Sequence, residues 1–381
     1  MSMLVAIIGG NLQGVEATYL AKKAGWQVLL IDKNPQAAAS LMCDRFLPLT
    51  ITTKRDLDKI PEQVELIIPA LENNSVLRIL KEWSLQTGIP MAFDMEAYAI
   101  TSSKLKSDQT FREINLNAPK SWPQCGFPIV VKPDGESGSQ GVKIIHNEKE
   151  LTSNFPTKHS LNQMVAQEYL EGPSYSIEII GLPGNYTPLQ VTELHMDHHY
   201  DCKRVLAPSG LDSPRVREFG QMAIRVAERI QLRGLMDMEV ILHDGQLKAL
   251  EVDARLPSQT PTTVSHSAAI NMVKLLAELF STGKININHI DTPQATIYEH
   301  VKVTENHIEV MGEHIMSSVG PLRLFQGLFG AYEVISNLDP ELNEWVATLI
   351  FKGKNMEEVL GRKQQTYENI RNKVGQIAQD I

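Results

Sequence analysis

One stretch of the chain decides the fold: Ile129-Val130-Val131-Lys132-Pro133-Asp134-Gly135-Glu136-Ser137-Gly138-Ser139-Gln140-Gly141-Val142-Lys143-Ile144-Ile145. Two β-branched runs flank a loop rich in glycine and serine, which predicts a hairpin. Glycine lets backbone N–H groups turn inward as an anion-binding concavity, and Lys132 at the mouth of the loop adds a charge for phosphate oxygens. A Walker loop would lead into a helix, but here a strand follows. The pattern predicts a flap over phosphates, although an ordinary glycine-rich hairpin explains the stretch equally well on its own.

A second segment, residues 235–255, carries acidic residues that alternate with apolar ones. Strand-like runs flank His243-Asp244-Gly245, and a three-residue loop that ends in glycine suits a type I turn plus bulge. In that register Leu242 faces Gln246. Four carboxylates then project from one face of the sheet: Asp237, Glu239, Glu251 and Asp253.

Carboxylates crowded on one sheet face repel each other unless cations lie among them. Oxygen ligands with no histidine or cysteine beside them indicate Mg²⁺, which is usually shared with substrate phosphates. The alternative is a solvated acidic face. A two-residue turn would put Glu239 and Glu251 on opposite faces, and it would exclude the metal site.

The composition is that of an ordinary globular protein. The chain has 381 residues, 43% hydrophobic and 21% charged, with a net charge of -9, so we expect two to four domains. The chain is acidic overall and has no stripe of basic residues, which argues against nucleic acid as a partner. Three widely spaced cysteines without a CxxC pair predict a reduced, cytoplasmic protein, and no apolar run is long enough for a membrane span.

The first 96 residues predict a parallel-sheet domain. A buried-strand run, residues 4–8, leads into Gly9-Gly10-Asn11-Leu12-Gln13-Gly14, a helical pattern and a second strand that ends at Asp32. This βαβ opening resembles a dinucleotide fingerprint, but its glycine spacing differs from Gly-x-Gly-x-x-Gly. We therefore favour a turn that packs a helix on the sheet.

The N-terminal domain, the glycine loop and the acidic hairpin follow one another as in the ATP-grasp superfamily, and the chain resembles that superfamily over essentially its whole length. The matching pieces are Val130-Val131-Lys132-Pro133, the glycine loop, Gln167-Glu168-Tyr169-Leu170-Glu171-Gly172, and Leu250-Glu251-Val252-Asp253-Ala254-Arg255. The resemblance implies an α/β, multidomain α+β fold. It comprises a Rossmann-like domain (1–96), an ATP-grasp domain (97–290) with a small subdomain (about 100–170) and a large one (about 171–290), and a C-terminal strand and helix piece (291–381).

The resemblance also assigns roles to residues, with ATP and Mg²⁺ as cofactors. It implies that Glu239, Glu251 and Asp253 hold Mg²⁺ and that Arg255, with Lys132, acts on the transferred phosphoryl group. Nucleotide binding is expected from nine residues: Lys104, Lys132, Ser137, Gly138, Ser139, Gly141, Glu168, Tyr169 and Leu170. Many relatives place an acid two residues after the hinge glycine to bind ribose, whereas this chain has Ser174.

Longer strings are similar to the ATP-grasp ligases of pyrrolysine biosynthesis. They are Gly9 to Ala17, Ile68-Pro69-Ala70-Leu71-Glu72-Asn73, Ser102-Ser103-Lys104 and Trp122-Pro123-Gln124-Cys125. This resemblance implies an ADP-forming ligase that joins 3-methyl-D-ornithine, activated as an acyl phosphate, to the ε-amine of L-lysine. It also allows a homodimer. The expected substrate-binding residues are Leu12, Gln13, Glu72, Arg204 and Ser258.

Two other functions stay open on the sequence alone. An aminoimidazole ribonucleotide carboxylating enzyme or a D-alanine-type dipeptide ligase would share every core ATP-grasp motif. A NAD-binding oxidoreductase built on residues 9–32 would leave the Lys132 loop and the acidic hairpin unexplained.

Overall fold

The computed structural model describes residues 2–135, 141–156, 161, 163–287, 293–305, 307–339 and 344–377. The chain forms two compact units. Unit 1 comprises Met1–Phe93, Cys202–Pro208 and Leu256–Ile381, and unit 2 comprises Asp94–Asp201 and Ser209–Arg255. The domain limits expected from the sequence stay predictions. Among the described helices, none combines the length and the apolar character that crossing a membrane requires.

Unit 1 begins with four parallel strands: β1 (Leu4–Ile8), β2 (Gln27–Asp32), β3 (Arg45–Pro48) and β4 (Leu66–Pro69). They pair in the order β3-β2-β1-β4, and the helices of this part include α1 (Leu12–Lys23) and α2 (Asn74–Thr87). All five residues of β1 are buried, as in a parallel strand that is covered on both faces. The expected N-terminal parallel sheet is confirmed.

The glycine turn between β1 and α1 is filled by close packing. A Cβ on Gly10 would lie 2.7 Å from the Cβ of Ala37, and one on Gly14 would lie 2.1 Å from the backbone oxygen of Gly9. The Asp32 carboxylate accepts hydrogen bonds from the backbone N–H groups of Gly10 at 2.6 Å and Asn34 at 2.7 Å. Packing therefore accounts for the glycines, and the Asp32 carboxylate stabilises the turn through these two hydrogen bonds.

The rest of unit 1 contains an antiparallel sheet with helices. Its strands are β10 (Cys202–Ala207), β13 (Ala295–Thr304), β14 (His307–Val310), β15 (Arg323–Gln326), β16 (Glu333–Ser336) and β17 (Glu344–Gly353). They pair in the order β10-β13-β17-β16-β15, with β14 on β13. The helices are α7 (Thr260–Ala268), α8 (Met272–Thr282), α9 (His314–Ser317) and α10 (Met356–Ile377).

Unit 2 contains two antiparallel sheets. A three-stranded sheet of order β6-β5-β7 consists of β5 (Ile129–Pro133), β6 (Lys143–Ile145) and β7 (Met164–Glu168). Four strands of order β12-β11-β8-β9 form the other: β8 (Ser174–Leu182), β9 (Asn185–Met196), β11 (Gly234–His243) and β12 (Gln246–Asp253). The helices are α3 (Met95–Thr101), α4 (Lys104–Glu113), α5 (Glu148–Asn154) and α6 (Ser213–Ile230).

Helix α6 covers one face of the four-stranded sheet. Asp212 caps its first turn by accepting the backbone N–H of Arg215 at 2.9 Å. Its apolar side belongs to one buried cluster with alternate residues of the strands, among them Ile177 of β8 and Met238 and Val240 of β11. Because strand side chains alternate between faces, the residues between these apolar ones project from the opposite face, where the acidic residues lie.

The turn of the β11–β12 hairpin differs from the sequence-based expectation. His243 pairs with Gln246, so the turn contains only Asp244 and Gly245. Both turn residues have positive φ, 48° and 76°, as a type I′ turn requires. The expected pairing of Leu242 with Gln246 is therefore wrong.

A β-bulge keeps Glu239 and Glu251 on the same face of the sheet. The register shifts between Glu239 and Val240: Val240 pairs with Ala249, whereas Glu239 pairs with Glu251, so Leu250 is an extra residue in β12. A bulge of this kind changes which residues share a face. Glu239 and Glu251 thus stand directly opposite each other in spite of the two-residue turn.

Candidate active site

A pocket lies wholly within unit 2, lined by residues of its two sheets and of α4. Its polar lining residues include Lys104, Lys132, Glu168, Ser174, Tyr200, Glu239 and Glu251, and its apolar ones include Val130, Val142, Leu170, Met196, Ile241 and Leu250. Most of the site residues expected from the sequence in this part of the chain thus lie in one pocket. The lining combines charged and apolar side chains, which suits a nucleotide with a phosphate tail and a flat base.

Lys132 brings a buried positive charge to the pocket. It lies in β5 and is only 7% exposed. Burial lowers the pKa of its ammonium group, and the negative charges of Glu251 and Asp108 oppose that shift. A buried ammonium needs acceptors for its N–H groups, and the phosphate oxygens of a nucleotide would supply them.

Lys104, the first residue of α4, lines the same pocket. The carboxylate of Asp134, two residues after Lys132, accepts hydrogen bonds from the Ser103 hydroxyl and from the backbone N–H of Leu105, both at 2.9 Å. These bonds tie the first turn of α4 to the end of β5. The Lys104 ammonium lies 3.1 Å from Oε1 of Glu251, so the lysine contacts one of the expected metal ligands.

The opposite wall carries the acidic residues of the hairpin. Glu239 and Glu251 pair directly and both line the pocket. Among the described residues that line it there is no histidine or cysteine. An all-oxygen donor set beside a phosphate site fits Mg²⁺, so these two side chains could hold the ion.

Asp237 and Asp253 pair one step further along the same face. Asp253 Oδ2 lies 2.7 Å from Nε of Arg255. Burial, followed by the negative charge of Asp253, raises the pKa of Asp237 well above its usual value, and Arg255 opposes this. Arg255 thus contacts the acidic group, where it partly offsets the negative charge.

Glu168, Tyr169 and Leu170, the residues expected to form the hinge, line the pocket together. The Glu168 carboxylate accepts hydrogen bonds from the Lys248 ammonium at 2.8 Å and from the backbone N–H of Lys120 at 3.2 Å. Burial opposes the ionisation of Glu168, but these bonds outweigh it and lower its pKa. The Tyr169 hydroxyl lies 3.5 Å from that of Tyr200.

Part of the glycine loop lies outside the described residues, including Ser137, Gly138 and Ser139. Gly141, at the end of the loop, has φ 73°, and a Cβ there would lie 2.8 Å from Cγ of Pro133. This position therefore accepts only glycine without strain. The expected hairpin of β5 and β6 is confirmed by their antiparallel pairing.

The expected substrate-binding residues belong to unit 1. Gln13 donates from Nε2 to Oε1 of Glu72 at 3.0 Å, so the structure brings these two together beside Leu12, the first residue of α1. The others each contact an acidic residue. Arg204 pairs with the fully buried Glu299, and the Ser258 hydroxyl donates to Glu313 at 2.7 Å.

Three further charged residues of the site were missed from the sequence: Asp108, Lys248 and Glu178. Asp108 is four residues after Lys104 on α4, which places it on the same helix face, and it acts on the charge of Lys132. Glu178 of β8 pairs with Asp237 and is fully buried. The helical spacing could have indicated Asp108, but the other two depend on which strands become neighbours.

Comparison with protein families matches both parts of the chain. Residues 101–259 match the model described as ATP-grasp domain, and residues 5–92 match the one described as PylC-like, N-terminal domain. The chain is 36% identical over 379 residues to the 3-methyl-D-ornithine–L-lysine ligase of Methanosarcina mazei, covering 98% of this chain and 97% of the relative. It is 32% identical to the ligase of the same name from Methanosarcina barkeri, with 98% and 99% covered.

Solved structures show the same fold at low identity. N5-carboxyaminoimidazole synthetase from Staphylococcus aureus, complexed with ADP, has a TM-score of 0.70 at 16% identity, with 97% of this chain and 98% of that one covered. The L-amino acid ligase from Bacillus licheniformis has a TM-score of 0.66 at 17% identity, with 97% and 98% covered. At these identities the likeness concerns the fold alone.

Proposed function

The chain belongs to the ATP-grasp superfamily, in the family of 3-methyl-D-ornithine–L-lysine ligases, and from that premise we propose that it forms an amide bond between these two amino acids. The substrates are ATP, 3-methyl-D-ornithine and L-lysine. The products are the amide, ADP and phosphate.

The unit 2 pocket is the observation that carries this proposal. It combines two lysines, two directly opposed glutamates and several apolar side chains with the expected hinge residues. Phosphoryl transfer needs positioning and neutralisation of charge, and no protein nucleophile. This pocket supplies both, which supports transfer from ATP to a carboxylate.

The reaction has two steps. A carboxylate oxygen of 3-methyl-D-ornithine attacks the γ-phosphorus of ATP, the bond to the bridging oxygen breaks, and ADP leaves. The ε-amine of L-lysine then attacks the carbonyl carbon of the acyl phosphate, the C–O bond to phosphate breaks, and the amine loses a proton. The first step builds negative charge that Lys132 and Lys104 offset, and Arg255 assists by partly neutralising the acidic group.

The metal and the nucleotide have distinct places in this proposal. Glu239 and Glu251, with Asp253 nearby, would hold Mg²⁺, which when bound neutralises phosphate charge. The hinge residues Glu168, Tyr169 and Leu170 would hold adenine between apolar walls. The glycine loop, with Ser137, Gly138, Ser139 and Gly141, would close over the phosphates and exclude water from the acyl phosphate.

Substrate contacts in unit 1 are also part of the proposal. Glu72 and Gln13, which hydrogen-bond to each other, present an acidic and an amide group of the kind that binds an amino acid, and Leu12 adjoins them. Arg204 and Ser258 are proposed on the resemblance, and each contacts a carboxylate of this chain. A homodimer and a cytoplasmic location stay predictions.

A screen of ADP release across substrate pairs tests the function. With ATP and Mg²⁺, L-lysine together with 3-methyl-D-ornithine or D-ornithine is expected to release ADP, and each amino acid alone should not sustain amide formation. Aminoimidazole ribonucleotide with bicarbonate, or D-alanine alone, serves as the control. Turnover with a control pair and none with the diamino acids would contradict the proposed function.

A further inference from the structure

The tip of the β11–β12 hairpin contacts the segment that leaves the expected hinge. Three residues, Glu171-Gly172-Pro173, join Leu170 to the start of β8, and we call them the connector. Nδ1 of His243, the last residue of β11, lies 2.9 Å from the backbone oxygen of Glu171 and 3.2 Å from its backbone nitrogen. A side chain of the hairpin thus holds the main chain directly after the hinge.

Main-chain contacts hold the rest of the connector against the same hairpin. The backbone N–H of Leu242 donates to the backbone oxygen of Pro173 at 3.0 Å. Gly172 has φ 151°, and a Cβ there would lie 2.1 Å from the backbone oxygen of Leu242. Only glycine therefore allows so close an approach. The next residue, Ser174, already pairs with Ile241 in the sheet.

The imidazole of His243 gives the connector a fixed partner in place of water. All three connector residues are exposed, so their polar groups would otherwise bond to solvent, whereas the His243 side chain is only 21% exposed. In one tautomer Nδ1–H donates to the Glu171 oxygen, and in the other Nδ1 accepts the Glu171 N–H. The ring can therefore hold the connector in either tautomer.

The same hairpin carries the two glutamates proposed to hold Mg²⁺. His243 is four residues after Glu239 on β11, which corresponds to about 13 Å of strand, and Glu251 pairs with Glu239. Lys248 of β12 contacts Glu168 at 2.8 Å. One hairpin thus fixes both the hinge and the metal ligands. A nucleotide held at its base by the first and at its phosphates by the second binds tightly only when both are in place.

We propose that His243 is a positioning residue for ATP: by holding the connector, it fixes the hinge residues in the place where adenine binds. His243 lies outside the set of described residues that line the pocket, so it acts through the connector and not on the nucleotide. This role rests on the proposed function and deepens it, because it adds the group that holds the hinge.

Two variants and two ligands test this role. His243→Leu removes Nδ1, and only a fraction of the free protein then has the hinge in place. The affinity for ATP should fall about 3- to 10-fold, the worth of one hydrogen bond, and kcat at saturating ATP should change less than about 2-fold. His243→Asn keeps a polar atom near the position of Nδ1 and should recover most of the loss.

Inorganic tripolyphosphate with Mg²⁺ is the second ligand, because it carries the phosphate chain without the base. Its affinity, measured by calorimetry and by inhibition of ADP release, should change less than about 2-fold in both variants. A general loosening of the pocket would weaken both ligands alike, whereas a displaced hinge weakens only the ligand that has an adenine.

Controls separate this effect from a loss of fold. His307→Leu makes the same change at an exposed histidine, the first residue of β14, and should leave both affinities unchanged. Thermal unfolding is measured for each variant. If His243→Leu does not fold, His243→Gln takes its place, because the amide of glutamine lies one carbon further from the backbone and does not reproduce the position of Nδ1.

The outcomes are distinct. A loss confined to ATP and recovered in His243→Asn supports the positioning role. An unchanged ATP affinity in His243→Leu, an equal loss with tripolyphosphate, or a loss that His243→Asn does not recover would overturn it. In each of these cases a wild-type chain that releases ADP with the diamino acids keeps the proposed function intact. A wild-type chain that binds no ATP would overturn the proposed function and the role of His243 with it.

Discussion

Replacing Lys248 by methionine is expected to weaken ATP binding without slowing phosphoryl transfer. The Lys248 ammonium lies 2.8 Å from Oε2 of Glu168, the first residue of the hinge, and the two side chains are 12% and 22% exposed. Methionine keeps the length of the side chain and removes its charge. Of the two hydrogen bonds to the Glu168 carboxylate, only the one from the backbone N–H of Lys120 then remains. The orientation of this carboxylate toward the adenine base is therefore less fixed.

The magnitude follows from the partial burial of the pair. Exposed ion pairs contribute about 0.2–1 kcal/mol, and removing one partner of a fully buried pair costs about 3–5 kcal/mol. In the variant, ATP binding has to order the Glu168 carboxylate that the pair no longer holds, and an intermediate cost of about 1–2 kcal/mol for this corresponds to a roughly 5- to 30-fold weaker affinity for ATP. The substitution leaves Lys104, Lys132 and the two opposed glutamates in place, so kcat should change less than about 2-fold.

Calorimetry with a non-hydrolysable ATP analogue measures the affinity, and steady-state ADP release measures kcat. Lys248→Arg, which keeps the charge, should lose little. Lys143→Met serves as a matched control: that exposed lysine donates to Oδ1 of Asn154 and lies over the Phe155 ring, and its replacement should leave both values unchanged. An unchanged affinity in Lys248→Met, or a loss in kcat alone, would refute the reasoning.

The same pair predicts a pH dependence of stability. The folded state lowers the pKa of Glu168 from 4.5, so the ionised carboxylate stabilises the fold above that pH, and the contribution is lost as the pH falls through the lowered value. Lys248→Met removes part of this stabilisation. Its free energy of unfolding should therefore fall below that of the wild type near neutral pH and approach it under acidic conditions. A difference that grows with acidity would contradict the assignment.

Three further predictions concern the metal, the phosphates and the first domain. Glu251→Gln should keep the fold and lower turnover by about 10²- to 10³-fold, the size seen when charge stabilisation is removed at a reacting centre; circular dichroism and ADP release check this. Lys132→Ala should weaken ATP affinity and lower kcat together, and an undiminished rate would exclude its phosphate role. Gly14→Ala should lower the free energy of unfolding by about 1–3 kcal/mol, since its Cβ would lie 2.1 Å from the oxygen of Gly9; calorimetry on the wild type should detect no NAD binding, and micromolar affinity would reverse the packing interpretation.

The sequence predicts those parts of the fold and site that depend on local patterns. The β-branched runs around Lys132 indicate a hairpin, and β5 and β6 pair as expected. The alternation of acids and apolar residues in 235–253 indicates one polar and one apolar face, and Glu239 does stand opposite Glu251. These features follow from residue type and a period of two.

Other parts depend on contacts between distant segments. The Asp244-Gly245 pair is itself a strong signal for a two-residue turn, but the bulge at Leu250 that offsets it has no comparable sequence mark. Lys248 reaches Glu168 across 80 positions of the chain, and Arg204 reaches Glu299 across 95. Such pairs exist only once the strands are neighbours, so a single sequence does not reveal them.

Transfer of ¹⁸O from the amino-acid carboxylate to phosphate tests the central claim most directly. Carboxyl-labelled D-ornithine or 3-methyl-D-ornithine is incubated with ATP, Mg²⁺, L-lysine and the chain, and the phosphate and the amide are analysed by mass spectrometry. An acyl phosphate places one labelled oxygen in the released phosphate, because that oxygen attacks phosphorus and departs with it, and the nucleotide product is ADP. Formation of AMP and pyrophosphate, or phosphate without label, would contradict the account.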